Sequence, residues 1–422
     1  MLAFSKSSSD DTQGYEDPRM QEYAPDESDA SQLVWNIPPS KRYLKFSDTY
    51  MTLTCELPDT VVPDNGFVDK LFDGMNIEIQ QDLVTSKNAD SESAITGHFW
   101  RKAMFDQNYL DSTMSLVGCF DIHNVDASIL KKSPQIIAGR RINATKFFKK
   151  IEIKEKTYNT VWYRYEFIAP LNHGLALQPS CLPDNLEICL KLYRAPSSAA
   201  VMKIADEITC HDGTKVPYEF PDSYIPLKRP RLCAMFLRSE KLDAKMAKYK
   251  SYDFECNFYD YPIRYNILDS GESEFLVNVS RGCFPKYAFF AIRPMTQDSP
   301  TMDRCITNFK RHDLESFSVL VNSEPLPGHP LVTDTKFYYN FLQNTDRLFN
   351  PWSSGVLPFH HYVKHNFFVV INFENLKRSS GPLHVKLRFK RNLEEKFHLI
   401  YMPVYPKTFV KTPHNDISVI DQ

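Results

Sequence analysis

The chain has 422 residues, 42% of them hydrophobic, and a formal net charge of −2. That length exceeds the roughly 250–300 residues at which single cores stop growing, so two cores are expected. The near-zero charge excludes the basic footprint of a dedicated nucleic-acid binder, and no apolar run approaches the roughly 20 residues of a membrane-spanning helix.

Phe (30) and Tyr (22) are abundant, Gly (13) is scarce, and the 28 prolines are spread along the chain. Bulky aromatics suit cross-strand pairs, while each interior proline costs a helix about 3 kcal/mol. The composition predicts an all-β protein with short helices.

In chain order, residues 1–31 come first and are acidic, with Asp10, Asp11, Glu16, Asp17, Glu22, Asp26, Glu27 and Asp29. Such a segment buries too little surface to offset its ordering entropy, so a disordered arm is expected. The arm is a candidate to order on assembly against basic strand faces. The fold should begin near Leu33, Val34 and Trp35. The first residues lack an apolar stretch of signal-peptide length. An intracellular rather than secreted protein is therefore expected, with the sequons at Asn143 and Asn278 read as chance matches.

Period-two alternation then places strands at 75–80, 161–167, 186–192, 275–279, 317–321, 367–373 and 384–391. In the last of these, Val385, Leu387 and Phe389 face one way and Lys386, Arg388 and Lys390 the other. Helical pattern is confined to 66–72, 92–105, 197–204, 240–248 and 336–349. The order strand (75–80), helix (92–105), strand (161–167), strand (186–192) recurs as 317–321, 336–349, 367–373 and 384–391. The final segments of the two series, starting at Leu186 and Leu383, each follow a proline, Pro183 or Pro382. This duplication predicts two β-sandwiches, at 32–220 and 231–412, followed by a tail at 413–422. The stretch 221–230 holds Pro221, Pro226 and Pro230 and reads as an extended linker.

Nothing in the chain marks catalysis. No GxxxxGK[ST], GxGxxG or GxSxG motif occurs. Cys55, Cys119, Cys181, Cys189, Cys210, Cys233, Cys256, Cys283 and Cys305 are odd in number and include no CxxC, which points to a reducing compartment without structural zinc. In His360-His361-Tyr362-Val363-Lys364-His365, His361 and His365 would share a helical face as zinc ligands can. The HExxH glutamate is absent, so a polar loop feeding the next strand is expected instead. Cys210 and His211 look like a nucleophile beside a base, but catalytic partners need spatial rather than chain adjacency; Asp212-Gly213 is a turn signal. The basic runs Lys146, Lys149, Lys150, Lys154 and Lys386, Arg388, Lys390, Arg391 read as solvated strand faces, with contact to packaged nucleic acid or a neighbouring subunit as the alternative. No catalytic, cofactor or metal residues are assigned.

A set of short motifs, in order, resembles the major capsid proteins of Polinton (Maverick) elements and their virus-like relatives. Pro63-x-Asn65-x-Phe67 leads to Leu71-Phe72, a strand and Leu83-Val84; Asn88 and the helix at 92–105 follow. Next come the strand ending at Arg194, Tyr261-Pro262-Ile263-Arg264, Gly282-Cys283-Phe284-Pro285-Lys286, and Asn308-Phe309-Lys310-Arg311 before 317–321 and Leu326-Pro327. The resemblance spans roughly 35–410. It departs at a short 57–63 loop and at Tyr401-Met402-Pro403, which interrupts an otherwise apolar strand (397–404). The resemblance implies a tandem double jelly roll of two eight-stranded β-sandwiches. It also implies homotrimers of pseudo-hexagonal outline that tile an icosahedral shell around DNA. A penton or minor capsid protein would be a partner, DNA would be contacted only indirectly or weakly, and the assembled protein would reside in the virion. Two other readings stay open: a ligand- or glycan-binding β-sandwich protein with a host role, possibly a domesticated element gene, and a cupin-like enzyme on a jelly-roll scaffold.

Overall fold

The computed structural model describes residues 16–28, 31–84, 92–105, 116–119, 124–142, 148–151, 160–178, 180–209, 212–217, 223–240, 243–244, 253–345, 357–374, 376, 380–412, 414 and 416–421. The strands of the first half are β1 (Glu16–Tyr23), β2 (Glu27–Ser28), β3 (Gln32–Ile37), β4 (Tyr43–Leu44), β5 (Tyr50–Pro58), β6 (Val61–Pro63), β7 (Phe72–Ile79), β8 (Asp82–Leu83), β9 (Phe148–Ile151), β10 (Thr160–Pro170), β11 (Ile188–Arg194), β12 (Val201–Lys203), β13 (Glu207–Thr209), β14 (Lys215–Pro217) and β15 (Leu227–Arg238). Those of the second are β16 (Phe254–Asp260), β17 (Arg264–Leu268), β18 (Glu274–Ser280), β19 (Tyr287–Pro294), β20 (Leu314–Val321), β21 (Glu324–Leu331), β22 (Val369–Asn372), β23 (Leu383–Phe389), β24 (Phe397–Lys411) and β25 (Ile417–Asp421). The helices are α1 (Phe67–Lys70), α2 (Glu92–Met104), α3 (Ala127–Leu130), α4 (Pro134–Ile142), α5 (Gly174–Leu177), α6 (Ser197–Ala200), α7 (Asp334–Asn344) and α8 (Phe359–His365).

Each half builds two large sheets, to which the first adds the two-stranded pairs β6–β12 and β13–β14, and the large sheets of the two halves repeat one topology. One sheet of the first half runs β2-β3-β11-β7-β8, and its counterpart in the second runs β18-β23-β20-β21. The other sheets run β1-β15-β5-β10-β9 and β16-β24-β19-β22. In chain order β3, β5, β7, β8, α2, β10, β11 and β15 correspond to β18, β19, β20, β21, α7, β22, β23 and β24. The duplication expected from the order of elements is thus a duplication of strand pairing: β11 pairs β7 as β23 pairs β20.

Alternation decides which side chains enter the core. Along β23, Leu383, Val385, Leu387 and Phe389 are buried while Lys386 and Arg388 are exposed. Each such apolar side chain contributes roughly 1.5–3 kcal/mol. β19 is buried at every position because second-half residues pack on one face and first-half residues on the other. β24 continues through the prolines at 403 and 406, with Pro403 opposite Ala288 and Tyr401 stacked on Phe290 at 5.2 Å.

Several local expectations need correction. The part of the acidic arm at Glu16–Tyr23 is a strand, paired antiparallel to β15 with Arg19 opposite Phe236 and Tyr23 opposite Leu232. Its side chains are almost all exposed, so the ladder rather than a core holds it. Arg42 adds an anchor, donating to the Asp17 carboxylate at 2.5 Å and carbonyl at 2.7 Å. It therefore lies on the first sandwich and not on the basic face of β23. The expected linker is also part of the first sandwich from residue 223 onward. Ile225 is buried, and β15 pairs β5 from Leu227. Proline has no N–H for a ladder and is confined to edges and bulges. Pro230 sits in such a bulge, where pairing jumps from Lys228 opposite Thr54 to Arg231 opposite Thr52 and Arg229 takes a φ of 48°. The helix expected at 197–204 stops at Ala200 and becomes β12. Most of 240–248 lies outside the described residues. The loop expected at His360–His365 is instead the helix α8.

Candidate functional site: the seam between the sandwiches

The two sandwiches meet along a seam built around α2. Every residue from Ala94 to Ala103 is buried. A helix buried all round is normally apolar, yet this one carries His98, Arg101 and Lys102. Its apolar members reach into the second half. Phe99 lies parallel to Phe289 at 5.8 Å and tilts against Phe309 and Phe368 at 5.2 and 5.0 Å, and Trp100 stacks on Tyr261 at 5.5 Å. A buried charge needs a partner; Arg101 has Asp69.

A polar network runs beside this aromatic cluster. Lys70 Nζ contacts Asp64 at 2.5 Å, and both side chains are 1% exposed. Arg140, also fully buried, reaches the other Asp64 oxygen at 3.4 Å. Lys70 crosses the seam to Cys305 Sγ at 3.2 Å. Burial alone would lower the Lys70 ammonium, but Asp64 and Cys305 outweigh it and hold the group above its ordinary value. Burial pushes the Cys305 thiol up to about 11. Asn124 is the hub. Its Oδ1 accepts from Asn65 Nδ2 at 3.0 Å, and its Nδ2 lies 3.2 Å from Thr307 O, 3.1 Å from Asn366 Oδ1 and 2.9 Å from His98 Nδ1. Burial drives the His98 imidazolium well below its usual range, and Lys102, Lys70 and Arg101 push the same way.

Close backbone approach completes the seam. Gly174, the first residue of α5, packs on the Tyr259 backbone of β16, where a Cβ would overlap the Tyr259 carbonyl. His173 caps α5, its Nδ1 accepting from Leu175 N–H at 3.1 Å. Its ring sits 6.2 Å from Phe258, and burial lowers its pKa to about 4 although Asp260 opposes the shift. Main-chain bonds add to this: Ala127 N–H donates to Asp303 O and Lys203 N–H to Met302 O, both at 2.9 Å.

Of the residues named in the sequence, Asn65, Tyr261, Phe309 and Cys305 fall in this seam, whereas those weighed as metal ligands, nucleophile or basic faces lie elsewhere. His361 and His365 are one turn apart on α8, and His365 Nδ1 is 3.3 Å from Asn308 Oδ1. Among the described residues no group of three or more His, Cys, Asp or Glu side chains could hold a metal ion. Cys210 and His211 are outside the described residues; Asp212 accepts from Thr214 N–H at 2.9 Å and Gly213 has a φ of 82°, which closes the β13–β14 turn. On β23, Arg388 pairs with Glu315 at 2.9 Å and Glu274 at 3.5 Å, and just beyond its end Arg391 pairs with Asp313 at 2.8 Å, so this face is mixed in charge. Lys146, Lys154 and the side chains of Lys149 and Lys150 are outside the described residues. No described helix is long and apolar enough to cross a membrane. The seam itself was not anticipated, although His98, Arg101 and Lys102 among Ile95, Phe99, Trp100 and Ala103 are a visible anomaly in one helix.

No family model matches the sequence, and no curated protein matches it. Solved structures do match the fold. A chain of the Sputnik virophage structure aligns with a TM-score of 0.66 at 10% identity, covering 97% of this chain and 89% of that one. The Faustovirus major capsid protein aligns with a TM-score of 0.58 at 9% identity over 93% and 90% of the two chains. The mavirus major capsid protein aligns with a TM-score of 0.57 at 9% identity over 95% and 90%. Such likeness at such low identity is a likeness of fold, and with the paired topology of the two halves it makes this chain a double jelly roll.

Proposed function

We propose that the chain is a non-enzymatic major capsid subunit of the Polinton type. Three copies form a pseudo-hexagonal trimer, and trimers tile an icosahedral shell around DNA, with a second, penton or minor, protein at other positions. The observation that carries this reading is the repetition of one sandwich topology twice in a chain, with buried apolar residues of both copies joined in one core. A three-fold arrangement of such a subunit presents six similar units and packs hexagonally, and closed symmetry limits runaway association. The solved capsid proteins with the same fold support it. The mixed charge of the β23 face supports at most weak, indirect contact with DNA. The protein then belongs in the virion, and inside the cell before assembly. Light scattering and negative-stain microscopy of the purified protein test the reading; trimers or shells are expected, and a strict monomer at high concentration refutes it.

A further inference from the structure

We propose that the seam is an acid-operated latch: protonation of His98 and His173 loosens the two sandwiches from each other before either one unfolds. The two histidines sit on separate first-half elements, α2 and the cap of α5, and both face the second sandwich. The His98 ring lies 5.6 Å from Phe309 and 6.0 Å from Phe368, and the His173 ring 6.2 Å from Phe258.

Neither histidine can carry a second proton where it stands. His173 Nδ1 is the acceptor for Leu175 N–H; an imidazolium has no acceptor there, so protonation sets two donors against each other. His98 Nδ1 faces Asn124 Nδ2, also a donor, and its Nε2 is buried without a hydrogen-bond partner.

The surrounding charges act in both directions. Around His98 they are Lys102 and Arg101 on α2 and Lys70 on α1, all opposing protonation. Their carboxylate partners, Asp69 and Asp64, are each engaged in an ion pair. The charge facing His173 is Asp260 on β16, which favours protonation. Lys407 lies 2.9 Å from Asp260 and draws on the same carboxylate.

When the seam opens, each imidazole meets water and regains an ordinary pKa near 6.5. The folded values lie below that, about 4 for His173 and lower than usual for His98. Between the two limits the open state binds more protons, so falling pH favours opening. From pH 7.5 to 5.5 each histidine multiplies the opening constant about tenfold, and the pair about a hundredfold. This device is a property of one chain and does not depend on assembly.

Pulsed maleimide labelling of the full chain, read peptide by peptide in mass spectrometry, tests the latch. Cys305 is buried in the seam, Cys283 is exposed and corrects for thiol reactivity at each pH, and Cys55 is buried in the first sandwich and reports unfolding. The expected result is a rise of about a hundredfold in Cys305 labelling relative to Cys283 between pH 7.5 and 5.5, with Cys55 still protected. His173→Asn keeps a capping acceptor and should reduce the rise to about tenfold, as should His98→Gln; the double variant should abolish it. Continued protection of Cys305 at pH 5.5, labelling of Cys55 in step with Cys305, or an undiminished rise in the double variant overturns the proposal. If His98→Gln does not fold, His173→Asn decides alone, and a rise equal to that of the unaltered chain is the refuting outcome.

Discussion

Gly174 gives the sharpest test of how the sandwiches are joined. In most helices Gly→Ala is stabilising, by up to about 1 kcal/mol, because alanine loses less entropy on folding. Here the sign reverses. A Cβ at Gly174 would overlap the Tyr259 carbonyl oxygen and stand 2.7 Å from its carbon and 3.1 Å from its nitrogen. Carbon contacts are optimal at about 3.5–4.0 Å and the carbonyl oxygen would stand 1.7 Å away, so α5 and β16 must separate by about 1.5 Å. The obstacle is backbone within a paired strand and cannot rotate away as a side chain would. Separation also loosens the Phe258 contact of His173. Overpacking of this kind costs typically 1–3 kcal/mol, and with the lost packing about 2–4 kcal/mol is expected for Gly174→Ala. Gly139→Ala in α4 is the control, since a Cβ there meets nothing within 4 Å; it should be neutral or gain up to about 1 kcal/mol. Urea unfolding followed by circular dichroism, with any separate transitions fitted individually, measures both. If Gly174→Ala proves as stable as Gly139→Ala, the backbone contact across the seam is not as described.

Lys70→Met leaves the 1%-exposed Asp64 without its ammonium, and breaking a buried pair by removing one member costs about 3–5 kcal/mol, measurable as a lower urea midpoint. His312 is held to a pKa of about 4, first by burial and then by Lys310, with its ring edge-on to Phe397 at 4.9 Å. Its folded pKa lies below the unfolded one, so its contribution is complete above about pH 6.5 and is lost as pH falls toward 4. His312→Gln should flatten the stability profile of the second sandwich in that window by at most about 1.4 kcal/mol per pH unit. Removing residues 1–25 strips β1 from β15 and opens a ladder edge; little stability should be lost, but light scattering should show irregular, open-ended aggregation beyond the trimers or shells expected of the intact chain. Leu387→Ala on the inner face of β23 should cost about 2–5 kcal/mol, and Lys386→Ala on its outer face less than about 0.5.

What could be read from the sequence was what repeats locally. The alternation of β23 predicted its two faces residue by residue, and the recurring order of strand and helix predicted the second sandwich. Glu16–Tyr23 escaped because an edge strand is held by backbone pairing, which leaves no hydrophobic pattern in its own side chains. The stretch around Pro230 escaped because proline signals a break in a ladder, and a bulge satisfies that signal as well as a linker does. α8 escaped because seven residues with three histidines carry too little apolar period to mark a helix. The seam was least legible of all. Lys70 and Cys305 are 235 positions apart, and Asn124 and Asn366 are 242 apart. No local periodicity encodes such pairs.

The polar character of the seam has a physical consequence for the proposed assembly. Two sandwiches joined only by apolar surface could slide or rotate with little penalty, since hydrophobic attraction has no direction. Hydrogen bonds do have direction, and an unmatched buried donor or acceptor costs about 1–3 kcal/mol. Asn124 alone binds three segments, through Asn65, Thr307 and Asn366, so a small rotation would strand several groups at once. The aromatic stack of Phe99 on Phe289 adds cohesion, while the network supplies the angle. A subunit that must present six similar units from three copies needs that angle fixed before it meets its neighbours. The ion pairs and amides are therefore better understood as setting geometry than as adding net stability, since buried pairs often contribute little of the latter. The proposed acid latch acts beside this network rather than through it: His98 and His173 make their hydrogen bonds within the first sandwich, to Asn124 and Leu175, and turn their rings to the second, so protonation would disturb the face on which the angle-setting groups rest.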